Sequence, residues 1–192
     1  MAYDIKKERK DLYAPPAKRV TFIDVPAMPF LMIDGRGNPN GPIFVARTAD
    51  LYALAYGVRF ALKREGVEFT VGPLEALWTA DDLADFVRGE KERWDWTLMI
   101  VQPPEVTPGL VERVRAEVAR KKGRPGVGSV RLEEYHEGRA VQIMYVGAYA
   151  DEGPTIARLH DVARAEGYGL TGRHHEIYLG DPRRTPPERL RT

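Results

Sequence analysis

Two spacings of apolar residues alternate along the chain, and each predicts a type of element. Apolar and aromatic runs predict strands over residues 30–33, 69–78 and 94–103. A helix is predicted over residues 43–65, ended by Gly66. The apolar face of that helix consists of Leu51, Leu54, Ala55, Val58, Ala61 and Leu62.

The second part of the chain repeats this alternation. Residues 107–122 are predicted as a helix, because Thr107 is a suitable N-cap and Pro108 fits the first turn. The polar segment 79–93, before it, is predicted as a loop with at most one helical turn. After this helix we expect strands over 129–138 and 139–149, a helix over 152–166 capped by Asp151 and ended by Gly167, and a strand over 171–179.

The order of these elements contains an internal repeat. Nine residues after the helix-ending Gly66 comes Glu75, and nine residues after Gly167 comes Glu176. Each glutamate is followed by apolar and aromatic residues, and a strand precedes each helix. The pattern predicts an α+β fold: a tandem, pseudo-two-fold repeat of strand-helix-strand-strand modules with antiparallel sheets and a ligand cleft between the halves.

The domain organisation follows from the repeat. Residues 1–20 are polar and predict an extended leader, so we assign 1–27 as an N-terminal extension. Residues 28–192 then form one domain with repeats at about 28–105 and 128–180, linked by the helix over 107–122.

Composition excludes several function classes. The 192 residues carry a formal net charge of +1, which gives no electrostatic case for nucleic acid or an anionic membrane. Cysteine is absent, so disulfides and thiolate chemistry are excluded. The charged N-terminus lacks an apolar signal region and no run is long enough for a membrane span, so a cytoplasmic protein is expected.

The closing strand presents the candidate chemistry. Alternation places His174, Glu176 and Tyr178 on one face of the strand, which is either exposed to solvent or lines a pocket. If the halves are related by two-fold symmetry, Glu75 joins Glu176 in a groove with aromatic rings. The aromatic candidates for this groove are Trp78, Trp96 and Tyr145. Such a groove suits flat, often cationic ligands, whereas the alternative is ordinary core with solvent-facing glutamates.

Glu152 and the adjacent histidines are further candidates for chemistry. Glu152, in a first helical turn, is either a partner of the helix dipole or a second carboxylate for acid–base work. His174 and His175 point to opposite faces of a strand and cannot chelate one metal together. No metal site and no cofactor are therefore expected.

Five stretches together resemble the stand-alone branch of the GyrI-like small-molecule-binding proteins. They are LYALAYGVRFALK, PLEALW, WDWTLMIVQP, QIMYVGAYADEGPTIARLH and HHEIYLGDPRRTPPERLRT. One departure is Tyr145, where the family more often has histidine. The resemblance implies two strand-helix-strand-strand modules around a ligand cleft, in which a buried glutamate receives aromatic cations.

The resemblance also implies three functions. The first is binding or sequestration of a bulky aromatic drug or toxin, the role of an effector-binding domain or a drug-resistance protein. The second is that of the cyclopropanoid cyclopropyl hydrolases, in which Glu176 would act as base and Glu152 or Tyr149 as second acid, without a cofactor. The third is interaction with DNA gyrase. The sequence leaves the ligand and the oligomeric state open.

Overall fold

The computed structural model describes residues 2–80 and 90–192. The α-helices in this part of the chain are α1 (Ile5–Glu8), α2 (Lys10–Tyr13), α3 (Pro42–Arg64), α4 (Pro108–Lys122) and α5 (Gly153–Ala165). The strands are β1 (Thr21–Val25), β2 (Met28–Arg36), β3 (Leu74–Ala80), β4 (Trp94–Val101), β5 (Arg131–Tyr135), β6 (Gly138–Gln142) and β7 (His174–Tyr178).

All strand pairs within the two sheets are antiparallel. The larger sheet has the order β5-β2-β4-β3-β7, and β1 pairs with β6 in a second sheet. The structure therefore has the mixed helix and antiparallel-sheet architecture predicted from the sequence. None of the helices in the described ranges combines the length and apolar character that a membrane crossing requires.

Helices α3 and α4 cover one face of the larger sheet. The predicted apolar face of α3 is buried there. The helix ends at Arg64, and Gly66, after the C-cap Glu65, has a φ of 84° that is accessible to glycine. The Thr107 side chain caps α4 by accepting from the Leu110 N–H at 3.3 Å. The helices touch at Gly57, where a Cβ would lie 2.7 Å from Val114 Cγ1, so only glycine permits this approach.

The opposite face of the sheet is covered by the N-terminal segment, which corrects the prediction of an extended leader. Residues 5–13 form α1 and α2, and their side chains Ile5, Leu12 and Tyr13 are buried. They pack with Phe30, Met32, Leu77, Met99 and Val101. The segment is polar overall, but burial of these three side chains stabilises its packing against the sheet.

The two halves meet where β3 pairs with β7. Ala76 lies opposite Glu176, and Glu75 lies opposite Ile177. A two-fold axis normal to a sheet exchanges residues that share a face. The counterpart of Glu176 is therefore a residue such as Ala76, and the predicted equivalence of Glu75 and Glu176 is wrong by one residue. Counting residues from the helix ends does not reveal that the loops leading into β3 and β7 differ in length by one residue.

The second half carries a shortened third strand. Tyr145 and Thr192 exchange backbone hydrogen bonds of 2.7 and 3.0 Å, and the Leu179 N–H donates to Arg191 at 2.9 Å. Arg191 and Thr192 thus lie between Tyr145 and Leu179, as β4 lies between β2 and β3 in the first half. Within the described residues, however, β7 pairs along its length only with β3. A gap is left in the sheet between β7 and residues 141–145.

Several predicted boundaries need smaller corrections. The strand predicted over 69–78 is β3, which begins only at Leu74, and the strand predicted over 139–149 ends as β6 at Gln142. Asp151 closes a 3-10 turn, and Glu152 is the residue that precedes α5. Most of the polar segment 79–93 lies outside the described residues. The part that is described includes a 3-10 turn, Lys91–Arg93.

Gly35 in β2 offers a test of the core packing. Its Cα lies against the indole ring of Trp96, which is fixed by donation from its N–H to Gly37 O at 3.0 Å. We expect Gly35→Ala to lower the free energy of unfolding by about 1 to 3 kcal/mol, the usual cost of overpacking. Urea unfolding would measure the change. Gly109→Ala is the control, since an added Cβ there has nothing within 4 Å; equal stability of both variants would contradict this packing.

Candidate functional site

One face of β7, together with Trp78 of β3, forms the candidate site. The Trp78 indole N–H, at 3.1 Å from each, donates to Glu176 Oε2 and to the Tyr178 hydroxyl. The Tyr178 hydroxyl in turn donates to the same Glu176 oxygen at 2.5 Å. His174 Nε2 lies 3.2 Å from the other oxygen, Oε1. The predicted alternation therefore brings His174, Glu176 and Tyr178 together, and β3 supplies the fourth member.

Glu152 adds a second carboxyl group. It occupies the N-cap position of α5, yet its side chain makes no capping hydrogen bond. It is instead hydrogen-bonded to Glu176. Glu152 therefore lies beside a second carboxylate and does not act as a side-chain cap of α5.

The environments of the two carboxyl groups drive their pKa values apart. Burial, the charge of Glu176 and the hydrogen bond to it raise the pKa of Glu152 to about 8. Burial would also raise the pKa of Glu176, but the hydrogen bond and charge of His174, followed by donation from Tyr178, hold it below its ordinary range. At neutral pH the pair therefore holds one proton and one negative charge, and the opposite shifts favour the proton on Glu152.

The phenols beside the pair remain donors. Burial and the charge of Glu176 raise the pKa of Tyr178 well above its usual value. Burial, Glu152 and Glu176 also raise the pKa of Tyr149, whose ring meets that of Tyr178 edge-to-face with centroids 5.6 Å apart. Both hydroxyls thus stay protonated throughout the physiological range.

Aromatic rings form a wall beside the carboxyl pair. Trp78 stacks on Phe44 of α3 at 6.0 Å and meets Trp94 edge-to-face at 5.8 Å. Phe44 also contacts Trp96, which is 2% exposed and belongs to the core behind the wall. Trp94 and Trp96 share a face, as the strand alternation predicts.

A cavity of about 110 Å³ lies in the gap beside β7. Its lining includes Glu152, His174, Glu176, Tyr145, Ile156 and Leu159. The Tyr145 hydroxyl is turned to the backbone, donating to Ala148 O at 3.0 Å. The shortened third strand thus creates a space next to the carboxyl pair.

Glu75 lies on the opposite face of the sheet, which corrects its placement in the same groove as Glu176. It is 1% exposed and accepts from the Tyr13 hydroxyl at 2.7 Å. His175 Nε2 lies 3.0 Å from its other oxygen, and His175 Nδ1 lies 2.9 Å from Glu137. Burial would lower the pKa of His175, but these two hydrogen bonds outweigh it and raise the pKa to about 10. This cluster ties the N-terminal segment to the sheet.

The sequence missed two members of the aromatic wall. Phe44 lies at the start of α3, outside the strand pattern that predicts the site, and strand alternation indicates only that Trp94 shares a face with Trp96. The sequence does not show which way an aromatic side chain at a helix start points, because that direction depends on how α3 crosses β3.

Within the described ranges, no group of three His, Asp or Glu side chains could hold a metal ion.

The chain belongs to the GyrI-like small molecule binding domain family, whose model matches residues 18–192. A crystal structure of a hydrolase from Listeria innocua is 34% identical, with 98% of this chain and 95% of that chain covered and a TM-score of 0.85. An uncharacterized conserved protein from the same organism is 35% identical, with 98% and 96% covered and a TM-score of 0.88.

A more distant structure shares the fold alone. The C-terminal domain of EcmrR is 10% identical, with 90% of this chain and 92% of that chain covered and a TM-score of 0.58. No curated protein matches the sequence.

The His175 cluster generates a prediction about stability and pH. Because its folded pKa is raised to about 10 from 6.5, charged His175 stabilises the fold fully below pH 6.5 and loses this contribution as the pH rises to about 10. We expect His175→Gln to lower the free energy of unfolding by about 3 to 5 kcal/mol near pH 6. The difference from wild type should shrink at alkaline pH. Denaturant unfolding at several pH values measures it, with the exposed His136→Gln as control; a pH-independent difference would contradict this assignment.

Proposed function

We propose that the protein binds flat aromatic, often cationic, small molecules over the sheet face formed by β3 and β7. The observation that carries this proposal is the Glu152–Glu176 pair, which holds one negative charge beside the Phe44, Trp78 and Trp94 rings. A partly desolvated carboxylate attracts positive charge, and ring faces stack on flat ligands. Membership of a small-molecule-binding family supports the same conclusion.

The size of the cavity constrains how such a ligand would lie. A volume of about 110 Å³ is well below the ~300 to 1,000 Å³ of sites that enclose drug-sized molecules. We infer that one ring or one charged group enters the gap beside Glu176. The remainder of the ligand would then lie along the partly exposed rings of Phe44 and Trp94, because Trp78 is only 5% exposed.

We further propose that the protein hydrolyses electrophilic ligands of this shape, namely cyclopropane-containing alkylators. The 34% identity to a structure described as a hydrolase supports hydrolysis. The protonation states of the pair support it too, because an ionised Glu176 can accept a proton while a protonated Glu152 can donate one. Two carboxyl groups with pKa values driven apart are a recurrent basis for acid–base catalysis.

The proposed reaction is balanced without a cofactor. Glu176 takes a proton from water as the water oxygen bonds to the cyclopropane methylene. The ring C–C bond breaks, and its electrons pass through the dienone to the carbonyl oxygen. Glu152 gives its proton to that oxygen, which becomes a phenol. The proton gained by Glu176 then passes to Glu152 and restores the starting state.

The pKa of Glu176 bears on its proposed role as a base, since burial alone would raise that pKa. The pKa of Glu176 is held low by its donors, and the raised pKa belongs to Glu152. A weaker base abstracts a proton less readily. We propose that positioning of water against the substrate compensates for this.

We also propose that residues 28–192 are the ligand-binding unit and that residues 1–27 brace it. The hydrogen bond from Tyr13 to Glu75 supports this division, since it joins the N-terminal segment to β3 directly behind the site. In this proposal the N-terminal segment contributes rigidity, and its residues Leu12 and Pro15 also line the cavity beside β7.

Ligand binding can be tested with Glu176→Gln. We expect this change to weaken binding of a cationic aromatic dye by roughly 1 to 3 kcal/mol, the size of a lost charge-assisted interaction. A neutral dye of the same shape should be affected less. Fluorescence titration measures both, and equal losses would show that the carboxylate acts only through the fold.

Hydrolysis can be tested with a spirocyclopropyl-cyclohexadienone alkylator in heavy-oxygen water. We expect a ring-opened alcohol that carries the heavy oxygen, and a loss of turnover of roughly 10² to 10⁴ for Glu176→Gln. The wild-type rate should fall as the pH rises through about 8, where Glu152 loses its proton. Glu166→Gln, at an exposed position after α5, is the matched control. A full rate for Glu176→Gln would remove the base from this scheme.

A further inference from the structure

The carboxyl pair has no lysine or arginine partner among the described residues. The basic side chain in contact with the pair is His174, whose Nε2 lies 3.2 Å from Glu176 Oε1. On the opposite face, by contrast, Glu75 and Glu137 share one imidazolium. A proton bound to the Glu152–Glu176 pair therefore relieves the repulsion between the two carboxylates. Solvent can exchange this proton.

The hydrogen bonds show which proton is exchangeable. Glu176 receives donors on both oxygens, two on Oε2 and His174 on Oε1, so its ionised form is well stabilised. For the Glu152 carboxyl, the partner that the described residues provide is Glu176 itself. Removing the Glu152 proton leaves two adjacent carboxylates without a new donor, and a positive ligand group placed there would compensate for it.

We propose that the Glu152–Glu176 pair exchanges its shared proton for the positive charge of a ligand. A cationic aromatic molecule would then bind with release of a proton, whereas a neutral one would bind without release. This inference rests on the binding function proposed above and makes Glu152 the residue that sets the preference of the site between cations and neutral molecules.

The other titratable groups around the pair would not mimic this exchange. From β7 and the adjoining 3-10 turn, Tyr178 and Tyr149 have raised pKa values and remain neutral. From α5, burial and the charge of His174 lower the pKa of His160 and keep it neutral. Tyr145, in the segment after β6, has a raised pKa as well. His174, on β7 itself, is the remaining group that could take part.

Exchange has a measurable consequence for affinity. While Glu152 is protonated, each unit of pH should strengthen cation binding by up to about tenfold, and the effect should level off above about pH 8. Binding of a neutral molecule should not strengthen with pH, since it gains nothing from the second negative charge.

The test uses N-methylacridinium as the cation and acridine as its neutral counterpart. Calorimetric titration in buffers of different ionisation enthalpy, from about pH 7 to about pH 8.5, counts the protons released. We expect close to one proton at the lower pH for N-methylacridinium on the wild type, and close to none for acridine. Glu152→Gln, which cannot lose a proton, should abolish both the release and the pH dependence while still binding the cation. Glu166→Gln should change neither.

The outcomes separate this inference from the function on which it rests. Binding of the cation without proton release, or equal release by wild type and Glu152→Gln, would overturn proton exchange alone. The second result would assign the proton to His174, which His174→Gln checks. Failure of both dyes to bind would count against the proposed function and against exchange with it. Carbon-13 spectra of carboxyl-labelled glutamate follow Glu152 without any ligand, and a Glu152 that is already ionised at neutral pH would overturn the exchange.

Discussion

The pairing of β3 with β7 determines how the rest of the structure is arranged. It joins the two halves and, by alternation, sends the charged side chains of these two strands to opposite faces of the sheet. Trp78 and Glu176 point to the face covered by α3. Glu75 and His175 point to the face covered by the N-terminal helices. A slip of one residue in this register would exchange the two sets and dismantle both.

The buried carboxylates on the two faces of the sheet have different partners. Behind the sheet, His175 is held between Glu75 and Glu137, so the positive charge is covalently part of the chain and the cluster serves packing. On the face covered by α3, the opposite shifts of the Glu152 and Glu176 pKa values leave one proton on the pair. A fixed counter-ion makes a permanent contact, whereas an exchangeable one leaves room for chemistry or for a charged ligand.

The incomplete second half gives the site its space. A full third strand beside β7 would fill the gap between β7 and residues 141–145, where the cavity next to Glu176 lies. The first half, with β4 complete, has a closed core at the related place. The repeat thus provides the arrangement of two halves, and the shortened third strand of the second half leaves the cavity beside β7.

The sequence by itself determined the helices α3 and α4, the repeat, the sharing of a face by His174, Glu176 and Tyr178, and the family. These depend on local spacing, which any window of the chain records. Tertiary structure decided that Glu75 lies behind the site, that Phe44 and Trp94 form its wall, and that Glu152 meets Glu176. It also decided that residues 5–13 fold onto the sheet. Each of these depends on strand register or on contacts between residues distant in the chain, and hydrophobic periodicity carries no information about either.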